Sequence, residues 1–160
     1  MRSLGASTRI IVASPQIAGQ IAGIEQLASF PVLVTNDAAD DLEWHLQTDD
    51  GREQIVRITP RLGCEDMATV RDAAIDGLGI AVLPDHVCAA ALETGRLVRV
   101  LPPWRGVQGI VHLVFTTRRG LPPSVRALID HLAAGFPRGV LGTPLLDSGN
   151  GTPPSHRGNS

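Results

Sequence analysis

At 160 residues, with 43% hydrophobic and 19% charged residues, the chain has the makings of one globular domain and not of a disordered segment. Its net charge of −2 supplies no general basic field, which argues against a molecule built as a nucleic-acid surface. All 14 basic residues are arginine, and lysine and tyrosine are absent, a pattern that reads as coding bias before function.

Residues 1–8 carry little pattern. The RIIVA run at 9–13 predicts a buried strand, and Ser14-Pro15 the cap and first turn of a short helix over 16–21. A helical turn is expected at 24–30, a strand at 31–35 and a polar loop at 36–41. Two strands at 44–47 and 54–59 flank Thr48-Asp49-Asp50-Gly51, where Asp-Gly signals a turn.

The stretch 64–84, CEDMATVRDAAIDGLGIAVLP, is the most informative. Met67, Val70, Ala74 and Leu78 line one face of a helix, with Arg71, Asp72 and Asp76 left for water. Asp66 is a suitable N-cap, and Gly77 and Gly79 can supply the positive φ that ends a helix. Ile80-Ala81-Val82-Leu83 is too short for a helix and suits a strand buried on both faces. Pro84 can open a second helix, with Val87, Cys88, Ala91 and Leu92 as its apolar stripe, stopping near Gly95. The unit is α-β-α, the grammar of an open α/β sheet.

Strands are predicted at 97–101 and 110–116, on either side of Pro102-Pro103-Trp104. From Pro122, a helix with Val125, Leu128, Ile129, Leu132 and Phe136 on one face must pack against something. From Gly139 onward small and polar residues dominate without period, which predicts a disordered tail over 137–160. No signal peptide and no run of membrane-spanning length is visible. With two cysteines, Cys64 and Cys88, the expectation is free thiols in the cytoplasm.

In order and spacing, several segments resemble the effector-binding domain of LysR-type transcriptional regulators. They are Arg9-Ile-Ile-Val-Ala-Ser-Pro15, Trp44-His-Leu46, Pro60-Arg61-Leu62, Val70-Arg-Asp-Ala-Ala74 and Gly77-Leu-Gly-Ile-Ala-Val-Leu-Pro84. They continue through Gly95-Arg-Leu-Val-Arg99, Leu101-Pro-Pro-Trp104, Val111-His-Leu-Val-Phe115 and the stretch from Arg118 to Asp130. The resemblance implies a periplasmic-binding-protein-like (type 2) α/β fold, with a second lobe essentially complete and a partial first lobe. Residues 1–8 would end a crossover from a missing first lobe, 9–104 form the second lobe, and 105–136 be the return strand and C-terminal helix of the first. It implies a chain truncated on its N-terminal side, lacking the helix-turn-helix through which relatives reach DNA. Its partner would be a small-molecule effector, within a regulator expected to be a homo-oligomer. A chain missing one wall of its cleft would bind that effector weakly or not at all.

Each candidate site residue has an ordinary structural role beside the functional one. Asp66 and the turn at Cys64 and Glu65 lie where the family's second lobe faces its cleft, and a helix N-terminus favours a carboxylate ligand. Asp66 can equally satisfy those N–H groups itself. Family members commonly carry Asn at the Glu65 position, and the Glu here would repel an anionic effector. Ser14 offers a second helix start that could face the same cleft, or a plain N-cap. Arg61 could pair with an effector carboxylate, or lie on the surface. Cys64 could be a nucleophile, but adjacent acids weaken a thiolate, so an inert buried thiol is expected. The five histidines show no metal-ligand spacing and no phosphate loop is formed, so no metal, cofactor or enzyme activity is expected. Two other readings stand beside the regulator: a freestanding small-ligand-binding module, and a minor hydrolase using Cys64.

Overall fold

The computed structural model describes residues 1–35, 42–115 and 120–136. The expected loop at 36–41 and tail at 137–160 lie outside the described residues. Strand β1 (Arg2–Ala13) is the spine of the molecule. Its apolar half alternates between two cores. Ile10 and Val12 face one with Val70, Ala74, Leu83 and Cys88. Ile11 and Ala13 face the other with Leu27, Val32, Val56 and Ile80. The sheet is therefore packed on both sides: by helices α2 (Met67–Ile75) and α3 (Asp85–Glu93) on one, and by a 3-10 helix (Ile24–Ser29) on the other, where side chains of the hairpin that ends the same sheet join the cluster.

The strand order is β4-β3-β8-β1-β6-β2-β5, with β7 also beside β1. Strands β2 (Val32–Val34), β5 (Pro60–Gly63) and β6 (Ile80–Pro84) are parallel, the arrangement expected of helix-linked strands. β1 is antiparallel to β6, to β7 (Val98–Arg99) and to β8 (Arg105–Leu113). β3 (Leu42–Gln47) and β4 (Glu53–Ile58) make the hairpin, turned at Gly51 with φ +88°.

Helix α2 follows its local chemistry. Asp66 accepts hydrogen bonds from Ala68 N (3.2 Å), Thr69 N (3.1 Å) and Thr69 Oγ1 (2.6 Å), which hold its carboxyl below the usual range. At the far end Gly77, at φ +78°, donates to Ala74 O, and Leu78 N donates to Ala73 O. That paired C-terminal closure explains a correction: the helix stops at Ile75, so Leu78 is turned outward and 45% exposed. Gly79 makes no positive-φ turn. It lets β6 approach β2, since a Cβ there would stand 2.4 Å from Pro31 O.

Other expectations are also corrected. Residues 2–8, which show no pattern, extend β1 because they pair with β8 from Arg2↔Leu113 to Thr8↔Gln108. The predicted helix at 16–21 is one turn, α1 (Pro15–Ala18). The strand predicted at 97–101 shrinks to Val98–Arg99, because Leu101 takes φ +47° and turns the corner. β5 was not expected, and β8 begins at Arg105 where 110 was predicted. Helix α4 (Pro123–Gly135) forms but buries none of its residues. It meets β1 through the Arg2–Asp130 ion pair and lays Phe136 against the His86 ring, 5.4 Å between centroids. No described element covers Leu128 and Leu132, which stay 55% and 41% exposed.

Candidate functional site

Where β6 ends at Pro84, a hollow of about 650 Å3 opens between β1, β3 and β8. β3 and β8 pair only at Gln47↔Arg105, and beyond that point they diverge and leave the space. Its walls are mostly apolar, with Trp44, Leu46, Met67 and Val82 among them; Arg9 is its cationic residue, and His45 and His86 also line it. Gly106 makes room for Arg9, since a Cβ there would lie 3.0 Å from the Arg9 Cβ. Glu43 is the acid of the lining, and Arg57 already engages it at 3.2 Å. No described acid pairs with Arg9, so the hollow presents an apolar body and an available guanidinium.

His86 is held from below. Its Nδ1 lies 3.3 Å from Ser7 Oγ and 3.7 Å from Asp85 Oδ1. The buried Asp85 accepts from His86 N at 2.9 Å and from Thr8 N at 3.3 Å, tying the start of α3 to β1. Serine and aspartate thus address the same ring nitrogen. A proton relay would need them on opposite nitrogens, so this trio orients a ring and does not activate a nucleophile.

The sequence-predicted residues do not converge. Asp66 spends both oxygens on its own helix. Cys64 is half-buried, its N–H bonded to Val34 O at 3.1 Å, and Glu65 is exposed beside it. The neighbour that reaches the hollow from this turn is Met67. Arg61 is exposed on β5, the last strand of the sheet. Ser14 lies at the other end of α2, 3.5 Å from where a Cβ on Gly77 would be, because β1 runs against β6 with Arg9 opposite Pro84. Its hydroxyl is buried without a hydrogen-bond partner among the described residues. Ser14 and the Cys64–Asp66 turn therefore do not share a cleft. Arg9 and His86 escaped the sequence reading; the available signal was a charged residue heading an apolar strand and a histidine two places past Pro84.

Among the described residues no cluster of three His, Cys, Asp or Glu side chains could hold a metal, and no helix is long and apolar enough to cross a membrane. Burial pushes the Cys88 thiol up to about 12.

The family model for the LysR substrate binding domain matches residues 1–137. This chain belongs to that family. Among relatives of this LysR domain is the HTH-type transcriptional regulator PtxR of Pseudomonas aeruginosa, 32% identical over 134 residues, or 78% of this chain and 40% of PtxR. The chain thus spans less than half the length of that relative. The regulatory domain of AphB in Vibrio vulnificus superposes with a TM-score of 0.68 at 27% identity, over 83% of this chain and 68% of that one. The CrgA regulatory domain of Neisseria meningitidis, at 18% identity and a TM-score of 0.64 over 85% of this chain and 68% of its own, shares the fold. The architecture is that of a LysR regulatory domain, periplasmic-binding-protein-like and mixed α/β.

Proposed function

We propose that this chain is the effector-sensing part of a LysR-type regulator and that its ligand, a small carboxylate with an apolar body, enters the hollow at the end of β6. The observation that carries the reading is Arg9, a guanidinium without a described acidic partner, set in an otherwise mainly apolar wall. Arg9 would take the carboxylate while Met67, Val82 and Trp44 cover the body. Glu65, the expected source of repulsion, is not part of that lining.

Residues 9–104 would serve as the second lobe and 105–136 as the strand and helix returning to the first, with 1–8 as the crossover. The ribbon of β1 and β8 supports that division, since its pairs run from Arg2 to Ile10. In a homo-oligomeric cytoplasmic regulator joined to a helix-turn-helix, occupancy of the hollow would favour one lobe arrangement and so shift DNA-bound populations. The name of PtxR, a transcriptional regulator, supports this direction over catalysis. So does the geometry of Ser7, His86 and Asp85, which lacks a relay.

Isothermal titration of small carboxylates tests the proposal. Saturable heat with one of them, weakened at least about tenfold by Arg9→Gln, is the expected result. Saturable binding indifferent to Arg9→Gln, or no saturable binding across the panel, overturns it. Turnover abolished by Cys64→Ala would favour the hydrolase.

A further inference from the structure

Two arginines meet at a corner that the hollow does not use. Arg99 ends β7 and Arg105 begins β8. Between them the chain doubles back, with Leu101 at φ +47° and Trp104 N donating to Leu101 O at 2.8 Å. Both residues lie along the same edge of β1, Arg99 opposite Val12 and Arg105 opposite Ile10. They line a separate cavity of about 330 Å3, together with Thr8, Gln108 and Asp49.

Strand alternation sets this cavity apart from the hollow. Ser7 and Arg9 face the hollow, whereas Thr8 faces the corner, on the opposite side of β1. Gln108 stands at the boundary of the two.

The charge count is uneven. Asp49, the acid of this lining, comes from the tip of the β3–β4 hairpin and engages Arg105 through Nε (3.0 Å) and Nη2 (2.9 Å). Its own side chain is 89% exposed, so water competes for it. Arg99 has no such ion pair, and its Nε is buried without a hydrogen-bond partner among the described residues. Burial depresses its pKa and Arg105 adds to that shift, while Asp49 and the buried Asp85 oppose it. Within the lining itself, two guanidiniums thus share one solvent-exposed carboxylate, with the buried Asp85 acting on Arg99 from outside it. Gln108 spends one amide N–H on a long 3.4 Å contact to Thr8 Oγ1, which leaves another donor close by.

We infer that this corner is an oxoanion site of the phosphate class, in which one anion is held between Arg99 and Arg105. A phosphate has enough oxygens to meet two guanidinium forks at once, whereas a carboxylate fills one. It also supplies the negative charge that Asp49 provides only in part. The anion is free phosphate or the phosphate of a phosphomonoester, since both present the same group.

The test is titration of the full chain with inorganic phosphate at fixed ionic strength, followed by calorimetry and by fluorescence of Trp104, which is stacked under Arg52 at 5.4 Å beside the corner. Acetate and glycerol phosphate are the comparison arms. Phosphate is expected to saturate the signal and acetate to fail. Arg99→Gln and Arg105→Gln should each weaken binding about tenfold or more. Asp49→Asn, at an exposed position that leaves the fold intact, should tighten it several-fold. Glycerol phosphate binding more tightly than phosphate names a phosphomonoester as the source; equal binding names the free ion. A response that does not saturate, equal binding of acetate, or an Asp49→Asn variant that binds no better than the parent overturns the site, whether or not the arginine variants fold.

Discussion

Asp85 Oδ1 accepts the backbone N–H of Thr8 at 3.3 Å across 77 residues of sequence. The same oxygen takes His86 N at 2.9 Å, so one buried side chain joins the start of α3 to the strand at the centre of the sheet. Asp85→Ala strands these donors, the one on Thr8 being buried, and should cost about 1–3 kcal/mol of unfolding free energy in urea. Asp85→Asn keeps an oxygen in place and should cost less. An alanine variant as stable as the parent would show that water replaces the bond.

Gly79 and Gly77 are two residues apart and should respond differently. Alanine at 79 drives a Cβ to 2.4 Å from Pro31 O and 2.9 Å from Pro31 C, both backbone, so β2 and β6 must separate. We expect about 3 kcal/mol, the upper end for overpacking. Alanine at 77 meets only Ser14 Oγ, at 3.5 Å, and has the cost of φ +78°, about 1 kcal/mol. Thermal melts of the two variants rank them directly.

The two thiols should separate by reactivity. Cys64 is half-buried and Cys88 fully buried, with its pKa raised from 9.0 to about 12. Native protein should react with a disulfide reagent at Cys64 first, and at Cys88 only on unfolding. Because the folded state holds the Cys88 proton more tightly, that contribution to stability is intact below about pH 9 and is lost as pH rises towards 12. Melts across that window should fall faster for the parent than for Cys88→Ala.

Leu128 and Leu132 sit on the outer face of α4, on a helix with no buried residue. Replacing both with aspartate should leave stability within about 0.5 kcal/mol per site and reduce self-association at high concentration, read by light scattering after gel filtration. A stability loss well beyond that would mean the face is covered.

The parts legible in the sequence were those fixed by short-range chemistry. Asp66 caps α2 through groups two and three residues away, and Ile80, Ala81 and Leu83 are buried as the apolar run predicts, Val82 being half-buried against the hollow. What stayed hidden depends on distant pairing. Pro60–Gly63 has weak strand propensity and becomes β5 because β2 lies beside it; Arg2–Thr8 becomes strand because β8 does. Ser14 and Asp66 look alike as helix starts, and only the opposed directions of β1 and β6 set them at opposite ends of α2. The hollow is built from segments around residues 9, 45, 86 and 107, so no local spacing announces it.

β1 pairs with β8 along its first half and with β6 and β7 along its second, while its side chains alternate between two cores. Deleting one residue from its second half would exchange the side chains that face the two cores, against β6 and β7 together. Length polymorphism should therefore be purged from this strand yet tolerated at the Asp49–Gly51 hairpin tip, which makes the tip, and not the spine, the natural place to graft a reporter peptide.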